Sequence, residues 1–257
     1  MLLLLHGTGA STHSWRDTMS QLSKQFTVIV PDLPGHGFTT LPDGSAMSLP
    51  GMAQAVTLLL RDMDVTPDLV AGHSAGAAIA LRMCLDGEIS PKALVSLNGA
   101  LMPFPGLAAV AFPTMAKALF LNPMSVPIAA HFAGEPENIR SVISRTGTDL
   151  PEEGLAYYAR LFQDRRHVAA AINMMARWDL NAFQKDLRDM SIPVTLVSGA
   201  HDMAVPLWVA REVKDKMPSA EIVVLPDCGH LAHEEHPNEI CDLLIERARA
   251  AAVLPEQ

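Results

Sequence analysis

Residues Gly72-His73-Ser74-Ala75-Gly76 place small residues around a serine, the pattern of a strand-to-helix elbow that lifts a nucleophilic hydroxyl out of a sheet. The serine backbone takes a strained turn there, and strand and helix pass too close for large side chains. The context agrees. Asp68-Leu69-Val70-Ala71 reads as a short buried strand, and Ala75 to Met83 as a small-residue helix.

A serine hydroxyl is a poor nucleophile at neutral pH and needs a base with a group to orient it. Downstream of Ser74, Asp202 follows the apolar run Val194 to Ser198, and His230 follows Ile222 to Leu225. The order Ser, Asp, His, with both partners in loops beyond strand carboxyl ends, lets them converge on Ser74. Asp179 and Asp227 are rival acids. The run from His230 to His236 lacks H-E-x-x-H spacing, so it reads as one catalytic histidine with solvated neighbours His233 and His236, and no metal or cofactor is called for. His13, His131 and His167 read as structural or surface groups, and His201 as pointing away from the site. Acyl transfer passes through an oxyanion, which backbone N–H groups can hold. Ala75, at the helix start, is one donor. Thr8, in the loop His6-Gly7-Thr8-Gly9, is the best-placed second.

These residues need a scaffold. Short apolar runs alternate with helical patterns, which predicts a parallel sheet flanked by crossover helices. Strands are expected at about 1–5, 26–31, 68–73, 93–98, 193–199 and 221–226. Helices are expected at about 13–23, 50–63, 75–86, 206–217 and 237–251, with Ser48 capping the second and Pro206 opening the fourth. Residues 102–188 break the rhythm with helical patterns at 107–120, 135–146, 152–162 and 167–175. They read as a helical lid inserted into a core of residues 1–101 and 189–257.

A length of 257 residues suits one large α/β domain. The net charge of −9 argues against a nucleic-acid partner. Three widely spaced cysteines form neither a disulfide framework nor a zinc pattern and suit a reducing cytoplasm. Met1 to Leu5 lacks the basic region and length of a signal peptide and reads as a buried strand. Between Gly99 and Gly134 the basic side chains are Lys117 and His131, there is no acid, and five prolines exclude a spanning helix. A greasy surface element making peripheral membrane contact is the other reading of that stretch.

Five motifs in order, Leu5-His6-Gly7, Asp32 to Gly37, Gly72 to Gly76, Gly199 to Asp202 and Gly229-His230, resemble the α/β-hydrolase superfamily across the chain outside the lid. The resemblance implies that fold, with Asp32 to Gly37 as a structural turn. Members usually carry two strands before the His-Gly strand. Their apparent lack here predicts residues 1–5 as an unpaired apolar edge. His6 to Trp15, Ser96 to Leu101, Met174 to Leu180 and Gly229 to Glu235 further resemble the BchO-type magnesium-chelatase accessory family of bacteriochlorophyll biosynthesis. That resemblance implies a role near magnesium insertion, contact with magnesium chelatase and a tetrapyrrole ligand.

The expected pocket is apolar, formed by His73, Trp15, Phe104, Phe112, Met175 and Trp178, with the lid as roof and its remaining apolar residues as packing. The expected activity is serine hydrolysis of a small or medium apolar ester. A serine rather than an aspartate at the elbow argues against haloalkane dehalogenation and epoxide hydrolysis. Carbon–carbon bond hydrolysis uses the same triad and stays open. So does a non-catalytic tetrapyrrole-binding accessory role.

Overall fold

The apolar run at the amino terminus becomes a strand buried on both faces. In a computed structural model describing residues 1–42, 44–103, 118, 121–122, 124–133 and 135–255, β1 spans Leu2–Leu5. Side chains alternate across a strand. Leu3 and Leu5 therefore join one core, while Leu2 and Leu4 join the other on the opposite face. After β1 come α1 (Arg16–Leu22), the two-residue β2 (Val28–Ile29), α2 (Leu49–Asp62), β3 (Leu69–His73), α3 (Ala75–Leu85) and β4 (Ala93–Leu97). Ser48 caps α2, its Oγ accepting the Gly51 N–H. The second half of the sheet is β5 (Val194–Gly199) and β6 (Glu221–Leu225).

All pairings are parallel, in the order β2-β1-β3-β4-β5-β6. This corrects the expected exposed edge. β1 pairs with β2 through Leu2 and Leu3 on one side and with β3 along its whole length on the other. The outer position falls to a strand of two residues, too short to template further pairing. The order reverses between β1 and β3, and ligands of open α/β sheets bind beyond the strand carboxyl ends at such a point.

Between β4 and β5 run α4 (Ser125–Ala133), α5 (Pro136–Ser144), α6 (Glu152–Gln163), α7 (Arg165–Arg177) and a short α8 (Phe183–Asp186). Asp164 caps α7, its carboxylate accepting the Arg166 N–H. Buried His167 on α7 bridges two core loops: its Nε2–H donates to the Gly9 carbonyl, and its Nδ1 accepts the Gly37 N–H. Leu121, Met124, Ile128 and Phe132 are exposed on and before α4. After β5 come α9 (Trp208–Lys216), and after β6 the one-turn α10 (Ala232–Glu235) and α11 (Pro237–Ala250). Pro206 lies two residues before α9 rather than opening it. Among the described residues no helix is long and apolar enough to cross a membrane.

Candidate active site

Ser74 lies between the end of β3 and the start of α3 with φ 52° and ψ −116°, a left-handed backbone rare for a side-chain-bearing residue. The chain holds it there. The Ser74 N–H donates to the Leu97 carbonyl, and its carbonyl accepts from the Ala77 and Ala100 N–H groups. The flanking glycines allow the close passage: a Cβ on Gly76 would lie 2.3 Å from the Leu5 carbonyl oxygen. Ser74 lines a cavity of about 420 Å³ together with Thr8, Ala75 and His230. The first turn of a helix has N–H groups without intrahelical partners, so Ala75 stands where a donor is needed. The Thr8 hydroxyl turns away to Met174 Sδ at 3.4 Å.

His230 lies in the loop after β6. Its Nδ1–H donates to Asp202 Oδ2 at 2.8 Å. Asp202, after β5, is buried and fully engaged. Its Oδ1 accepts the Ala204 and Val205 N–H groups at 2.8 and 2.7 Å, and its Oδ2 accepts Asn98 Nδ2 at 2.7 Å. Asn98 also donates to the Gly229 carbonyl. The loop carrying His230 is pinned on either side. The Gly229 N–H donates to Glu235 Oε2, and the Leu231 N–H to Thr148 Oγ1. With Nδ1 donating to a carboxylate, neutral His230 presents Nε2 as a base. A serine, an imidazole oriented by a carboxylate and a helix-start N–H at one apolar cavity are groups that acyl transfer uses.

The alpha/beta hydrolase family matches residues 2–243. The chain belongs to the alpha/beta hydrolase family. It is 38% identical to the magnesium-chelatase 30 kDa subunit of Rhodobacter capsulatus over 96% of this chain and 86% of that protein. Among solved structures, a putative lipase from Acinetobacter baumannii superposes with a TM-score of 0.80 at 20% identity, covering 98% of this chain and 84% of its own. An esterase from Exiguobacterium antarcticum gives a TM-score of 0.79 at 16% identity, with coverages of 96% and 91%.

In this hydrolase the expected pocket residues separate into four groups. Met175 and Trp178 line the 420 Å³ cavity, with Met102, Leu180, Trp208 and Val209. Trp15 does not line it, a correction. It closes a short 3₁₀ turn, faces the sheet, and is fully buried in the core with Leu2 and Leu4. Phe104 and Phe112, like Lys117 and all of the expected helix at 107–120 but residue 118, lie outside the described residues. His73 borders a second cavity of about 140 Å³ that also reaches Ser74, Thr8 and His230. Its Nε2–H donates to the His230 carbonyl at 2.9 Å.

His233 is a second correction. It is fully buried rather than solvated, packed between Trp15 and His73 with tilted rings whose centroids lie 4.5 Å from each. Burial first, then repulsion from neighbouring His230, His13 and Arg16, pushes its pKa down to about 3. His6 is a buried strut, its Nδ1–H donating to the Gly7 carbonyl and its Nε2 accepting the Leu33 N–H. Asp32 binds the Thr12 and Phe38 N–H groups and thereby shapes the turn to Gly37. Exposed His201 donates its N–H to the Cys228 carbonyl. Sequence reasoning missed Asn98 as a functional residue, although its place just past β4 beside the elbow was a usable signal. Among the described residues, Cys228, His236 and Glu239 bring donor atoms within 4.8 Å of one another. Burial pushes the Cys228 thiol up to about 12.

Proposed function

We propose that the protein is a serine hydrolase of apolar esters whose nucleophile, base and orienting acid are Ser74, His230 and Asp202. The observation that carries this reading is the 2.8 Å bond from His230 to a fully engaged Asp202, set beside a left-handed serine on the same cavity. Ser74 Oγ adds to the ester carbonyl as its proton passes to His230 Nε2. The Thr8 and Ala75 N–H groups hold the resulting oxyanion. As the C–O bond breaks, His230 protonates the departing alcohol. Water then adds to the acyl-enzyme by the same route and releases the acid. The helices between β4 and β5 act as a lid that keeps bulk water from the acyl-enzyme.

The likeness to the magnesium-chelatase 30 kDa subunit of Rhodobacter capsulatus supports a role beside magnesium chelatase, for which a tetrapyrrole ester is the substrate to test. It equally favours a second reading, a non-catalytic accessory that holds a tetrapyrrole under the lid. Free Cys84, Cys228 and Cys241 are consistent with work in a reducing cytoplasm.

A fluorophosphonate separates the two readings. The wild-type protein should gain the mass of one adduct, and Ser74→Ala none, with the fold of each checked by circular dichroism. An unlabelled but folded wild type would overturn the hydrolase reading and leave tetrapyrrole binding as the function to measure. A labelled one would next meet an ester panel that includes porphyrin methyl esters.

A further inference from the structure

Ser74, Thr8 and His230 each border two cavities of unequal size, about 420 and 140 Å³. A tetrahedral carbon on Ser74 carries, besides its oxyanion, two substituents that must leave in different directions. We infer that the substrate is markedly asymmetric: one arm is no larger than a benzene ring and enters the small cavity, while the other is bulky, apolar and adaptable in shape and fills the large one. This inference rests on the serine hydrolase reading and adds a substrate class to it.

The size limit follows from volume. A cavity of roughly 150 Å³ lined by Leu, Ile and Phe holds one benzene. The small cavity is close to it in volume, with Ile139, Val142, Ile143, Tyr158, Phe162 and Leu231 around it, and it is partly open at the exposed Val142. The large cavity has about three times that space.

The inner side of the wall is held in place. Tyr158 donates its hydroxyl to Glu234 Oε1 at 2.6 Å, and Arg16 Nη1 donates to Glu234 Oε2 at 2.6 Å. The Glu234 side chain is fully buried, so breaking either bond would strand a polar group away from water. Phe162 is held from two sides. It touches the backbone at Gly9, where a Cβ would lie 3.3 Å from its ring, and it meets His167 edge-on with centroids 5.9 Å apart. The large cavity is walled differently. Met102 and Met175 are flexible thioethers that repack around varied shapes. The flat faces of Trp178 and Trp208 suit a planar apolar group there. The small cavity therefore discriminates and the large one accommodates.

The test uses two phosphonofluoridates that share one bulky naphthyl arm. The second arm is methoxy in one and naphthylmethoxy in the other. On either probe Ser74 Oγ forms the O–P bond as the P–F bond breaks, fluoride departs, and the serine proton passes to His230. The methoxy probe should label wild type at least about tenfold faster, the rate equivalent of overpacking a rigid site by one ring. Ile143→Ala and, separately, Phe162→Ala enlarge the small cavity and should bring the ratio below about threefold. Equal rates for the two probes on wild type, or a ratio unchanged in both folded variants, would overturn the size limit while leaving the hydrolase reading intact. Failure of both probes to label folded wild type would instead overturn the hydrolase reading, and the size limit with it.

Discussion

A histidine works as a base only through the nitrogen that its partner leaves free, so the bond from His230 Nδ1 to Asp202 sets the chemistry of the site. Asp202 accepts four hydrogen bonds, two of them from backbone N–H groups, and this fixes the plane of its carboxylate. In Asp202→Asn the amide can present its NH₂ to His230 and trap the wrong tautomer. The kcat on any accepted ester should fall roughly 10³- to 10⁴-fold with KM nearly constant. A KM rise at constant kcat would show that Asp202 serves binding instead. Asn98 acts one step further out. It sits at φ 49°, a conformation Asn tolerates better than most residues, and it ties the Asp202 carboxylate to the Gly229 carbonyl. Asn98→Ala should lower kcat about tenfold and destabilise the fold by roughly 2–3 kcal/mol in urea unfolding, from a lost bond to a charged group plus backbone strain. A stability loss with full kcat would assign Asn98 to the fold alone.

The elbow is a device of elements, since it works only if β1, β3 and α3 cross at near contact. Gly76 on α3 faces the β1 backbone, and the methyl of Gly76→Ala would sit 2.3 Å from the Leu5 carbonyl oxygen and 2.6 Å from that of His6. Backbone cannot yield as a flexible side chain can. We expect about 3 kcal/mol of destabilisation by urea midpoint, together with slower fluorophosphonate labelling as α3 is pushed away from the sheet. Wild-type stability for this variant would mean that the helix approaches less closely. At this scale much was legible in the sequence, because the cause is local. The apolar runs of β1, β3, β4 and β5 carry their own burial pattern, and Ser48 carries its own cap. What is set by partners was less legible. The run at 26–31 pairs over only Val28 and Ile29, because the amino-terminal side of β1 is all it meets. His233, flanked by acids, looks solvated in sequence. Its burial is decided by α10 turning into the core against Trp15 and His73. The clasp of Arg16, Glu234 and Tyr158 joins three distant segments and leaves no local trace.

Taken over the whole molecule, six described histidines have lowered pKa values, each with burial as the largest cause. His6 falls to about 4, and His13, His36 and His233 to about 3, while His73 and His167 fall as well. Mutual repulsion within the groups His6–His36–His167 and His73–His230–His233 reinforces the effect. The sign is fixed by linkage. The unfolded chain takes up protons near pH 6.5 and the folded one does not, so stability is full above 6.5 and drains as pH falls toward 3–4. At pH 5 each of His6, His13, His36 and His233 costs on the order of 2 kcal/mol, and the four together about 8. Glu234 opposes them. Burial raises it to about 7, so its contribution is present below its unfolded value of 4.5 and is lost as pH rises through 7. It returns at most roughly 3 kcal/mol on acidification. The balance, about 5 kcal/mol, is a large share of the stability of a typical domain. Acid unfolding should therefore begin near pH 5, and urea midpoints between pH 7.5 and 5 should report several protons taken up on unfolding. His233→Phe removes one titrating group whose ring nitrogens lack hydrogen-bond partners. Its urea midpoint should fall less steeply, by about one proton per molecule, leaving it roughly 2 kcal/mol ahead of wild type at pH 5 relative to pH 7.5. Parallel curves for variant and wild type would show that His233 is already protonated in the fold. The same slope bears on the reading of activity, because loss of labelling on acidification has to be separated from loss of the fold. Labelling and circular dichroism followed together separate the two: in His233→Phe only the limb caused by unfolding should move.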